Sequence, residues 1–129
     1  MMVAKIFLTL VGLIYLGLAA WCSLAPAMTS EKVGFELKPG SGQSEFLVVY
    51  GGLELGLAAI FLMPWVRQDL LLGSLISCVL IHACLVIFRT ASFFLFSDLS
   101  ATTVRLAIGE WVILLVAALC LFLMPGGDG

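Results

Sequence analysis

Charge is what this sequence has least of. Of its 129 residues, 11% are Asp, Glu, Lys or Arg, against about 25% in an average soluble domain. No basic run exists and the formal net charge is -2. That excludes the electrostatic footprint of a nucleic-acid binder and of polybasic lipid recognition. Histidine occurs once, as His82. The cysteines Cys22, Cys78, Cys84 and Cys120 form no C-x-x-C pair, so a thioredoxin-like redox motif is absent. They read as small apolar packing residues. There is no G-x-S-x-G elbow, no P-loop and no H-E-x-x-H. No cofactor or metal is therefore expected.

What remains is apolar. Hydrophobic residues make up 63% of the chain and the mean hydropathy is +1.23. A membrane helix needs about 20 mainly apolar residues. Four stretches qualify: about 3–25, 46–66, 70–96 and 103–124. The expected fold is an all-α, up-and-down four-helix membrane bundle, one domain over 1–129, with both termini on one side. The expected partner is the lipid bilayer. Ala25-Pro26-Ala27 loosely mimics a signal-peptide cleavage site. Against that, the first apolar run is long for an h-region and carries only Lys5 before it; a retained helix is expected.

The connections are unequal. Residues 26–45 form a long polar loop, in which Ser30–Leu37 predicts a short interfacial helix capped by Thr29 or Ser30. Arg67-Gln68-Asp69 is tight and predicts an antiparallel hairpin of spans two and three. Around Ser97-Asp98-Leu99-Ser100 the turn chemistry is clear, with Thr102 or Thr103 as the expected cap of the last helix. Pro125-Gly126-Gly127 should stop that helix. The face carrying the termini is side A, and the long loop lies on side B. Lys and Arg divide too evenly between the two sides to assign orientation. Trp21, Trp65 and Trp111 suit interfacial or near-interfacial anchoring.

Four ionisable residues interrupt the apolar spans: Glu54, His82, Arg89 and Glu110. Charges in the bilayer core are costly and face the bundle interior, pair, or mark a site. Helical rise places all four in the B half. His82 and Arg89 are seven apart and share a face with Cys78; Tyr50 and Glu54 are four apart and share another. Glu45 sits at the water boundary of the same entrance. One reading is a self-satisfied ion pair, Arg89 with Glu110 or Glu54, that fixes helix register. The other is a polar pocket open to side B. A lone histidine on an apolar helix reads first as a hydrogen-bonded packing residue. Gly52-x-x-x-Gly56, preceded by Gly51, permits close helix approach, within the bundle or between copies.

Glu45-Phe46, Tyr50-Gly51-Gly52 with Gly56, Arg89, and Glu110 in the last helix together resemble an uncharacterised family of small bacterial four-helix membrane proteins. The resemblance covers nearly the whole chain, including Trp21 to Pro26 and the Gly34-Phe35 turn. It implies a shared polar core of Glu45, Tyr50, Arg89 and Glu110 and a bacterial inner (cytoplasmic) membrane. It implies no reaction. Glu54 and His82 fall outside its pattern.

The expected function is non-enzymatic. An intramembrane polar pocket would bind a small amphipathic or lipid-like molecule, or the chain would serve as an accessory subunit of a membrane-protein partner. Arg89 and Glu110 would organise the pocket, and Tyr50 and Glu54 would contact the ligand. The alternatives are a proton-coupled small-molecule transporter acting as a homodimer, and a lipid-modifying enzyme using His82 with Glu54 or Glu110.

Overall fold

A computed structural model describes residues 1–124; the expected Pro125–Gly127 stop lies outside them. The described residues are all-α, with four helical spans long and apolar enough to cross a membrane: Met2–Leu24, Ser41–Trp65, Gln68–Leu95 and Ala101–Phe122. In lipid every backbone N–H and C=O must be satisfied internally, which leaves the helix as the form for such runs. Span one is the helix α1 (Met2–Leu24). Two short helices follow, α2 (Pro26–Lys32) and α3 (Ser41–Phe46). Span two continues through a π-helical segment, Leu47–Leu53, into α4 (Glu54–Leu62). Span three is α5 (Leu71–Leu95) with a short 3-10 turn before it, and span four is α6 (Ala101–Phe122).

The loop departs from its sequence reading. The short helix starts at Pro26, not Ser30, because a proline is pre-organised for the first helical turn. Thr29 and Ser30 sit inside that helix, buried. Its chain leaves through Gly34, whose φ of +85° suits glycine best. Residues 40–45, read as loop, begin span two: Gly40 N–H donates to Gln43 Oε1 at 3.1 Å. At the other short link Ser100, not Thr102 or Thr103, caps α6, accepting from Thr103 N–H at 3.2 Å.

The spans pack as α1 along span two and α5 along α6, with α1 also reaching α5 and α6. Spans two and three are sequential and antiparallel, yet their main contact is near the tight turn. A cross-bond fixes them there, Ser74 Oγ donating to the Ile60 carbonyl at 2.8 Å. The short linker brings two helix ends together but does not choose packing partners. Small residues on α1 do that. A Cβ on Gly12 would stand 2.8 Å from Leu62 Cγ, and one on Gly51 would stand 2.6 Å from Ser23 Oγ.

Gly52 and Gly56 behave differently. Both are exposed, and a Cβ on either meets nothing within 4 Å. The G-x-x-x-G pair therefore faces away from the bundle, and Gly51 is the packing glycine. Gly51→Ala is expected to cost about 1–3 kcal/mol through overpacking. Ser23→Gly in the same chain should recover most of it, while Gly52→Ala leaves the melting temperature in detergent unchanged or slightly raised.

One contiguous apolar core fills the A half. Leu8, Val11, Phe61, Leu75 and Ala117 are its most enclosed members. Lys5 stands over the Trp65 ring at 4.2 Å, and Trp65 Nε1–H donates to Thr9 Oγ1 at 2.6 Å, closing the A end. At the B end Lys32 lies over Trp21 at 5.3 Å. Trp111 is the exception among the tryptophans. It falls halfway along α6, about 15 Å from either end, so it faces the acyl region and anchors no interface.

Candidate functional site

The apolar core stops at Tyr15, Ala58 and Cys78. Towards side B the buried side chains in the middle of the bundle become small: Ala19, Cys22, Gly51, Val86 and Ala107. Between these two regions lie the polar groups. Tyr15, Glu54, His82 and Glu110 each fall near the midpoint of their own span. Glu54 and Glu110 are deeper than their sequence boundaries suggested, since both helices begin earlier than expected. Glu54 lies about 20 Å along its span from Ser41, and Glu110 about 13 Å along α6 from Ala101.

Arg89 reaches Glu110 from one turn and a half below the B end of α5. Nε donates to Oε2 at 3.0 Å and Nη2 to Oε1 at 2.8 Å. This planar, two-bond fork is the strongest geometry an arginine offers a carboxylate. It ties α5 to α6, and both side chains are largely withdrawn from the surface. Of the two glutamates open to Arg89, it takes Glu110.

His82 is fully enclosed, with 1% of its surface exposed. Nδ1 lies 2.8 Å from the Cys78 carbonyl. A carbonyl only accepts, so Nδ1 carries the hydrogen. Nε2 then accepts, and the Tyr15 hydroxyl 3.1 Å away donates to it. Both ring nitrogens are used. Tyr15 also packs against Phe61, ring centroids 5.7 Å apart. Tyr15 was not singled out in the sequence. Its signal was there, as one step of the buried stripe Leu8, Val11, Tyr15, Ala19, Cys22 at helical spacing. Nothing in that stripe names its partner on α5.

Glu54 has no such partner. It shares the inward face of span two with Ala58 and Phe61, four and seven residues on, both of them buried. Its Oε2 is closed to solvent and makes no hydrogen bond. No Lys or Arg lies within ion-pair distance of it among the described residues.

Tyr50 belongs to a different contact set. It stacks on Phe46 at 4.5 Å, and Phe35 from the loop stands edge-on to it at 5.9 Å. This aromatic trio pins the long loop to the top of span two. The Tyr50 hydroxyl finds no hydrogen-bond partner among the described residues. Glu45 is exposed beside the trio, on a notch of about 220 Å³ that it lines with Phe35 and Tyr50. Glu45 thus stands near the start of span two, and Tyr50 lies about 13 Å along it from Ser41, a depth like that of Glu110 on α6.

The well-formed recesses lie beside the deep groups, not among them. A groove of about 440 Å³ runs between α1 and the π-helical segment, past Ala20, Ser23, Gly52 and Leu55. A cleft of about 540 Å³ lies under the loop, near Ser30, Glu31 and Gln43. Neither is lined by Glu54, His82, Arg89 or Glu110. Among the described residues no three His, Cys, Asp or Glu side chains gather closely enough to hold a metal ion.

The π-helical segment is the feature that the sequence did not disclose. It spans Leu47–Leu53, holds Tyr50-Gly51-Gly52, and ends where Glu54 begins α4. Wide turns of this kind are rare and recur at functional sites. The chain, so arranged, matches no protein-family model, no curated protein and no solved structure.

Proposed function

We propose that this integral membrane protein is a non-enzymatic binder of a small amphipathic molecule, engaged at Glu54 near the middle of the bundle. The orphan carboxylate oxygen carries this reading. Arg89 and Glu110 satisfy each other, and His82 is satisfied by Tyr15 and Cys78. Only Glu54 is left with a buried oxygen and no partner among the described residues. An unmade hydrogen bond on a buried polar atom costs about 1–3 kcal/mol, and a ligand hydroxyl or amine would return it. The apolar part of such a ligand belongs along span two, where groove and bilayer are continuous in character. Oε2 is closed to solvent, so a ligand reaches that oxygen only with a shift of the surrounding helices.

The resemblance to small bacterial four-helix proteins adds Glu45, Tyr50, Arg89 and Glu110 as a common scaffold and a bacterial inner membrane as the setting. An accessory role in a larger membrane assembly uses the same scaffold. Enzymatic use of His82 is disfavoured by its tautomer: neither ring nitrogen is free to exchange a proton with substrate.

The test is native mass spectrometry of the protein released from its own membrane in mild detergent. Wild type is expected to carry a constant small adduct, and Glu54→Leu to be bare. A bare wild-type chain would sink the proposal, and a bare homodimer would favour the transporter alternative.

A further inference from the structure

The ligand-free molecule has its own problem to solve at Glu54. A carboxylate withdrawn from water needs a cation or several donors, and an isolated one neutralises instead. The groups around it supply neither. Its Oε2 is closed to solvent and makes no hydrogen bond, and no Lys or Arg pairs with it among the described residues. The Tyr15 hydroxyl is engaged with His82, 3.1 Å from Nε2. On α5, both nitrogens of His82 are engaged and Arg89 is bound in the fork with Glu110 of α6. Lys5 and Lys32 lie on tryptophans at the two ends, and Arg67 pairs with Asp69 outside. Lys38 and Arg105 are exposed at side B.

We infer that Glu54 is a proton-binding site: without ligand it stands as the neutral acid and exchanges its proton with side B. Side B follows from the packing. Below Glu54 the apolar core closes the A half around Phe61, Leu8 and Leu75, each 0% exposed. Above it, span two packs chiefly against α1 and is lined by glycine and tyrosine. This goes beyond the ligand reading and stands without it.

Two measurements test it on the full chain in vesicles. The first is labelling with a hydrophobic carbodiimide. The neutral acid adds across one C=N bond, its oxygen to carbon and its proton to nitrogen. An acyl shift to nitrogen then gives a stable N-acylurea that retains the whole reagent. Peptide mapping is expected to find this adduct on Glu54 and not on Glu110, both of whose oxygens are occupied by Arg89, and the yield should fall as pH rises. An adduct confined to water-facing carboxyls such as Glu45 overturns the inference. The second reads protonation directly. Infrared spectra should contain the carbonyl band of an un-ionised carboxylic acid that Glu54→Gln removes. Persistence of an identical spectrum in that variant overturns it. Should Glu54→Gln fail to accumulate, Glu54→Asp with carbon-13 glutamate must lose the isotope-shifted band instead. A bare mass spectrum leaves this result untouched, and a missing carbonyl band leaves ligand retention untouched, so the two readings fail separately.

Discussion

Arg89→Met is expected to lower stability by about 3–5 kcal/mol, the range for breaking one side of a buried ion pair. The loss does not come from the pair's own attraction. It comes from Glu110, left midway along α6 with two oxygens that Arg89 had occupied. Adding Glu110→Leu to Arg89→Met should therefore recover most of the loss, since replacing both partners by apolar groups is often neutral or better. Arg89→Lys should recover little. An ammonium on a flexible stem supplies a point charge, not the planar two-bond fork. Thermal melting in detergent of the wild type and the three variants measures all of this. If Arg89→Met and the double variant melt together, well below wild type, the fork contributes more than neutralisation, and the self-satisfied pair is an incomplete account of Arg89.

The ion pair also marks how far the sequence could be read. That four apolar runs make four membrane helices followed from length and hydropathy alone, because lipid leaves the backbone no alternative. That Arg89 would seek a carboxylate also followed, since charges in a bilayer are costly. Which carboxylate it takes depends on packing order. The tight Arg67–Asp69 turn suggested spans two and three as partners, which would have brought Arg89 towards Glu54. The close approaches at Gly12 and Gly51 instead commit span two to α1, leaving α5 to α6 and Arg89 to Glu110. Glycine spacing was legible, but the direction each glycine faces was not. Gly52 and Gly56 looked like the packing pair and point outward, while Gly51 packs on α1 from within π-helical turns that alter the angular register of the residues before Glu54. A π segment has no composition cue comparable to a proline kink, so this register change was invisible. Tyr15 illustrates the same limit. Its place on the buried stripe was readable, but its bond to His82, 67 residues away, was not.

Phe61→Ala is expected to cost about as much as Arg89→Met, near 3–5 kcal/mol, by a different route. Phe61 has no exposed surface and touches the Tyr15 ring. Lipid tails are as apolar as a protein core, so the hydrophobic effect adds little to helix association. What the substitution forfeits is dispersion contact on all sides of the ring and the closure of the space it fills. Its effect should therefore be confined to the A half. Melting temperature falls, while each molecule that remains folded keeps its ligand. Glu54→Leu should do the reverse, abolishing ligand retention while melting temperature stays level or rises, as a buried unsatisfied polar atom disappears. The two sites are about 10 Å apart along one helix and share no described hydrogen bond, so their effects on stability should add to within about 0.5 kcal/mol. Strong coupling between them would mean that the apolar and polar halves move as one unit. In that case the π-helical segment above Glu54 could not open on its own, and ligand entry would have to proceed through separation of α1 from span two.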